Sequence, residues 1–257
     1  TSYRSSTIFS TPLPDLIETI SHIPSKSRYK GFTLNVLARL HPAWTESFQS
    51  LIPLILTTRI LPKGLKLTGR TLIDKPKSTD KRPISVVQAL DAHLDSIVNS
   101  RLAATVESLN VLDHTIAAHR KGKSCTDLTL NNILAIEDTC HYHNHILAHI
   151  DEDKEKYFDR ISHELQLLPF HLLDFAPEGY LEWIAESLSN LKLDVHTPFG
   201  HCDVSFDCGV RQGSALSCTI ANLVAWLNST AWIDDPTPPT PSPPSPSHSP
   251  LLYRQLH

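Results

Sequence analysis

The 257 residues carry 40% hydrophobic and 19% charged side chains with a formal net charge of −4, the balance of a globular protein with a sizeable core. Apolar runs such as Leu51 to Leu56 fall far short of the roughly 20 residues that span a bilayer, and the acidic charge excludes a protein that grips nucleic acid over its whole surface. The five cysteines, Cys125, Cys140, Cys202, Cys208 and Cys218, form no CxxC pair, so free thiols in a reducing, intracellular compartment are expected, with nucleus or cytoplasm undetermined. The absence of methionine predicts an internal fragment.

In chain order, residues 1–26 are rich in Ser, Thr and Pro around Leu16 to Ile20 and read as a weakly structured lead-in. From Phe32 to Ile60 the positions Leu34, Leu37, Leu40 and then Leu51, Leu54 and Leu56 predict two scaffold helices, broken near Pro42 and Pro53. Between Leu61 and Arg82, LPKGLKLTGRTLIDKPKSTDKR sets Lys63, Lys66, Arg70, Lys75, Lys77, Lys81 and Arg82 against only Asp74 and Asp80. Such a cluster in an acidic chain reads as a phosphate-facing surface or as a solvated basic loop. Leu67 to Ile73 predicts a strand. Val87, Leu90, Leu94, Ile97, Val98 and Leu102 then predict a core helix within Ser85 to Leu109.

A second basic turn, Arg120 to Ser124, leads into a predicted helix from Thr126 to Thr139, with Ser124 and Asp127 competent to cap it. Cys140, His141, His143, His145 and His149 follow; they would straddle a turn and a strand, which favours a solvated connection over zinc. Ile146 to Ile150 alternate as a strand, and the period of two puts Asp151 and Asp153 on one face. A strand end carrying carboxylates is a candidate metal site, or merely a solvated strand end. Pro177 to Leu191 presents Leu181, Ile184, Leu188 and Leu191 on a helical face, with Trp183 in a packing role. Residues 193–211 alternate around a turn at Pro198 to Gly200, as in a β-hairpin. RQGSALS then opens a helix carrying Leu216, Ile220, Leu223 and Leu227, and its Gln-Gly-Ser turn could hydrogen-bond a ligand. From Asp234 onward, proline and serine predict a disordered or extended tail.

The order of these features resembles one family, the reverse transcriptases of non-LTR retroelements and group II introns, from about Ser27 to Ile233. Tyr29-Lys30-Gly31-Phe32-Thr33 is similar to a worn "APGPDGIT", and LPKGLK to "P..WK". TLIDKPKSTDKRPIS resembles "IPKP....YRPIS", with Lys75, Pro76, Arg82, Pro83, Ile84 and Ser85 in register. HRKGKSCTD resembles "FRKGRSTTD". The first palm motif, Asp, four residues, an aromatic and Asp, is matched by Asp153, Phe158 and Asp159, whereas a start at Asp151 would put Lys156 at the aromatic position. GVRQGSALS, residues 209–217, resembles "GVRQGSPLS".

The resemblance implies an α+β fold, a right-hand polymerase with fingers and palm. It further implies two Mg²⁺ ions that stabilise the attacking and leaving oxygens of nucleotidyl transfer, held by carboxylates. Asp153 would be the catalytic metal ligand, Phe158 would pack beneath the sugar, Lys75 and Arg82 would hold the triphosphate, and Gln212 and Gly213 would approach nucleotide and template. Partners would be an RNA template, a DNA primer and dNTP, with no membrane. Asp159 and His163 read as structural. The family's third palm motif, YxDD, has Trp232-Ile233-Asp234-Asp235 as its only counterpart, just after a helix of ~18 residues that carries the chain ~27 Å from its start. We therefore expect a domain over 27–235, truncated before the catalytic YxDD hairpin and inactive alone, with a lead-in at 1–26 and a tail at 236–257. The alternatives are a non-catalytic nucleic-acid-binding relic, or a His/Cys zinc module with a proline-rich interaction tail.

Overall fold

The first helix among the described residues, α1 (Pro42–Thr58), opens on Pro42, whose missing N–H is no loss in a first turn. The predicted break at Pro53 does not occur: the helix runs through it. Ile52, Ile55 and Leu56 are buried on its inner face, and that burial outweighs the hydrogen bond the proline removes. This computed structural model describes residues 42–74, 81–143, 145, 147–152, 154, 156–173, 179–197, 199–233 and 251–256. The chain divides into two compact units, Thr1–Ala104 with Phe158–Ser217, and Thr105–Tyr157 with Cys218–His257.

The first unit is built on a four-stranded sheet ordered β2-β1-β4-β5. Strands β1 (Leu67–Asp74) and β2 (Lys81–Val86) form an antiparallel hairpin in which Arg70 faces Ser85 and Ile73 faces Arg82. On the other side β4 (Lys192–Thr197) runs parallel to β1, with Thr68 opposite Leu193, and β5 (Gly200–Ser205) closes the sheet antiparallel to β4. Strand β2 is an edge, the place where Pro83 removes no ladder bond from a central strand. Helix α2 (Ala89–Ser108) lies within the predicted span Ser85 to Leu109 and starts at Ala89, because RPIS continues as strand. Leu191, Leu193 and Phe206 form a buried cluster with Val195 against it.

Two further helices of this unit, α5 (His163–Leu172) and α6 (Tyr180–Leu188), pack together. They follow the single turn α4 (Tyr157–Arg160). Ser162 caps α5, accepting a hydrogen bond from the Leu165 N–H at 3.2 Å, and Tyr180, Trp183 and Ile184 are the fully buried side chains of α6.

The second unit contains α3 (Cys125–Ile136), β3 (Leu147–Glu152), most of α7 (Leu216–Ile233) and β6 (Leu251–Leu256). Ser124 and Asp127 form a complete capping box on α3, the reciprocal pairing their spacing allows. The helix ends at Ile136 and loosens into a π-turn, Glu137–Tyr142. The proline-rich tail contributes more than an extended chain: Leu251–Leu256 pairs parallel with β3. LLYRQL lies beyond the last proline and has the alternating, β-competent composition that 236–250 lacks. The tail residues 234–250 lie outside the described residues.

Candidate nucleotide and template site

The loop Cys208–Ser214, whose Gln-Gly-Ser turn is expected to open a helix and to be able to hydrogen-bond a ligand, binds three separate segments of the first unit. The Gly209 N–H donates to the Ile161 carbonyl at 2.9 Å and the Val210 N–H to the Phe158 carbonyl at 2.7 Å. Gln166, buried on α5, donates from Nε2 to the Gly209 carbonyl at 2.9 Å. Gly209 has φ +98°, and a Cβ there would lie 3.2 Å from the Asp159 carbonyl oxygen, so only glycine fits the approach. Gly213 repeats the device against β2: φ is +89° and a Cβ would stand 3.1 Å from the Ser85 carbonyl oxygen. The YFD turn and the RPIS strand are thereby tied to one loop.

Alternate residues of the loop point to opposite environments. Arg211 is buried and its guanidinium bonds Asp91 on α2, with Nη1 also 3.8 Å from Asp95. Ser214 Oγ donates to Asp95 Oδ2 at 2.5 Å. Two carboxylates around one guanidinium leave an excess negative charge in a dry site. Burial and the neighbouring Asp91 push the Asp95 carboxyl up to about 6, against the pull of Arg211, Ser214 and Trp183. Ser217 Oγ donates back to the Arg211 carbonyl, and the Leu216 N–H, at the start of α7, donates to Ser214 Oγ at 3.2 Å.

Facing the other way, Gln212 Nε2 donates to Asp159 Oδ1 at 3.1 Å. The same oxygen lies 3.6 Å from Arg70 Nη2. Arg70 also donates from Nε to Ser85 Oγ at 3.3 Å, and its guanidinium stands over the Phe206 ring, 5.7 Å from the centroid. Asp159 thus joins β1 to the loop. In the sequence Arg70 is one of several basic residues with nothing to single it out, and α2 reads as plain core. A signal was present: Asp91 and Asp95 stand four apart on the face that also carries Leu94 and Val98, and carboxylates on a buried face demand a buried cation.

Of the residues the sequence nominates, Phe158, Gln212 and Gly213 come together through this loop, the first two half-buried. Arg82 is placed by its backbone in β2, opposite Ile73. Asp153 and Lys75 lie outside the described residues. The basic cluster is less available to phosphate than its composition suggests. Lys66 is buried and donates at 2.8 Å to both Glu186 Oε1 and Ser189 Oγ, Lys81 pairs with Asp74, and Arg70 is engaged as above.

In the second unit Arg120, from the other basic turn, is also structural. It makes a bidentate pair with Glu107, at 2.7 and 2.8 Å, and donates to the carbonyls of Asp113 and Ile116. Glu107 is correspondingly held below its ordinary range by the Arg120 hydrogen bonds.

Three carboxylates around the loop are already committed to other partners: Asp91 and Asp95 serve Arg211, and Asp159 serves Gln212 and Arg70. Among the described residues, Cys140, His141, His143 and His145 included, no three His, Cys, Asp or Glu side chains are grouped so as to hold a metal ion. No described helix is long and apolar enough to cross a membrane.

A family model described as reverse transcriptase (RNA-dependent DNA polymerase) matches residues 73–227, more than half of the chain. The match begins in β1 and ends in α7, and so takes in the RPIS strand, the YFD turn and the GVRQGS loop. A search of curated proteins returned no match.

Proposed function

This chain belongs to the reverse transcriptase (RNA-dependent DNA polymerase) family, and from that premise we propose that it is the fingers-and-palm portion of a retroelement polymerase of the non-LTR or group II intron type. The family has a palm-and-fingers fold, with which the mixed helices and sheet agree, and works on an RNA template, a DNA primer and dNTP. We assign the polymerase domain to 27–235 and its first catalytic carboxylate and Mg²⁺ ligand to Asp153, with Phe158 beneath the sugar. Lys75 and Arg82 face the triphosphate. Gln212 and Gly213 line the approach of nucleotide and template.

The observation that carries this reading is the convergence of three motifs on one loop: Val210 on the Phe158 carbonyl, Gln212 on Asp159, and Gly213 against Ser85. These segments are more than 50 residues apart in places, and a polymerase needs them adjacent to close one nucleotide site. We also propose that the chain does not polymerise alone. Trp232 and Ile233 are helical, as the last residues of α7, which supports reading these two positions as helix and not as a strand of the hairpin the third palm motif requires.

Primer extension on an RNA template with Mg²⁺ tests both parts. We expect no incorporation, together with salt-sensitive binding of the RNA–DNA duplex that weakens in Arg82→Ala. Incorporation abolished by Asp153→Ala would overturn the inactivity while keeping the site. Absence of duplex binding at low salt would overturn the assignment of the loop to nucleic acid.

A further inference from the structure

We propose that the chain pairs with a second copy of itself along the outer edge of β5, antiparallel about a two-fold axis at Cys202, an inference independent of the polymerase reading. The sheet order β2-β1-β4-β5 leaves two edge strands, and their sequences differ in kind. Strand β2 carries Lys81, Arg82 and Pro83, the charges and the proline that blunt an edge against pairing. Strand β5, GHCDVS, has no lysine, no proline and no bulge. Its six residues pair one to one with β4, and all six are exposed. A regular, open edge of this kind is a template for another strand.

The ladder fixes which groups that edge offers. The Phe206 N–H donates to the Leu191 carbonyl at 3.1 Å. Counting by twos along the register, Val204, Cys202 and Gly200 are then the residues hydrogen-bonded to β4. The main-chain N–H and C=O groups of His201, Asp203 and Ser205 therefore point away from the sheet. A second β5 laid antiparallel about Cys202 sets His201 against Asp203 of the second copy and Asp203 against His201 of the second copy, so both outward-facing pairs exchange N–H···O bonds. The contact uses the same patch on both chains and closes as a dimer. Cys202 faces its own counterpart across the axis in a non-hydrogen-bonded pair, where the Cα atoms are ~4.5 Å apart, within the span of a disulfide.

The side chains favour the same register. Within one chain Asp194 lies against both histidines of its face, 3.1 Å from His196 and 3.4 Å from His201. Asp203 stands directly opposite Asp194, a like charge across the ladder. The second copy offers Asp203 an imidazole in place of that carboxylate. The register also brings the fully exposed Phe199 of each hairpin tip to the end of the other strand, beside Val204, which is 47% exposed in the single chain.

Two six-residue strands bury little surface, so the association should be weak and reversible. Sedimentation equilibrium of the reduced full chain is expected to show a monomer–dimer equilibrium. Diamide, a thiol oxidant, should then join the copies through Cys202, and a peptide linking Cys202 to Cys202 can come only from two chains. Cys202→Ser should lose that link and still dimerise. Asp203→Pro removes an N–H that bonds nothing in β4 and should abolish the dimer. Asp203→Lys, which keeps the backbone and removes two cross-strand pairs at once, should weaken it by up to roughly 30-fold. A chain that is monomeric at every concentration would overturn the proposal and leave the edge to a strand of another protein or to solvent. A dimer that survives Asp203→Pro, or oxidative linkage confined to the other cysteines, would overturn it as well.

Discussion

Replacing Asp95 by Asn probes the buried charge cluster directly, because the amide keeps the size of the carboxyl and the acceptor that Ser214 uses while removing its charge. The side chains of Asp91, Asp95 and Arg211 are 1%, 1% and 5% exposed. Among the described residues Asp95 Oδ1 and Arg211 Nε make no hydrogen bond, so the second carboxylate is poorly compensated. Its carboxyl is raised from an ordinary 3.8 to about 6, which means that the folded protein holds the Asp95 proton more tightly than the unfolded chain does. The associated stability is complete below pH 3.8, declines as the pH rises, and is gone once the pH has passed about 6. That interval, at ~1.4 kcal/mol for each pH unit, corresponds to about 3 kcal/mol. Asp95→Asn is therefore expected to match the parent near pH 4 and to exceed it by up to about 3 kcal/mol at pH 8. Urea unfolding of both proteins at intervals from pH 4 to 8 gives the difference curve, in which the titration of groups outside the Asp91, Asp95 and Arg211 cluster cancels. A difference that is flat with pH, or a variant less stable at pH 8, would refute an over-anionic cluster and show that Arg211 needs both carboxylates.

Two further outcomes follow from the same loop. Gly213→Ala, which combines a left-handed φ with a Cβ 3.1 Å from a backbone oxygen, should cost about 1–3 kcal/mol in chemical denaturation; a loss within experimental error would mean that the loop shifts off Ser85 freely. In a double-mutant cycle, Arg70→Ala and Asp159→Asn should show a coupling of roughly 0.5–1 kcal/mol, because the pair at 3.6 Å is only partly buried. Strict additivity would remove Asp159 as the bridge between β1 and the loop.

The sequence by itself determined what is encoded within a few residues. The Ser124 and Asp127 capping box, the β4–β5 hairpin, the strand before the proline loop and the long apolar helix after RQGS all rest on spacings of two to four residues, which chain geometry converts directly into structure. The order of the polymerase motifs was legible for the same reason. The tertiary structure decided which charges are internal. Arg211 and Asp91 are 120 residues apart and Gln212 and Asp159 are 53 apart, and no local pattern distinguishes an arginine that faces phosphate from one that neutralises two buried aspartates. Lys66 and Arg120 read as surface cations until their carboxylate partners were in place. Pro53 read as a break until burial of its neighbours outweighed it, and β6 had no visible partner in a tail dominated by proline. In each case the deciding energy is desolvation or packing against a distant segment, a property of position in the fold that residue type and spacing do not carry.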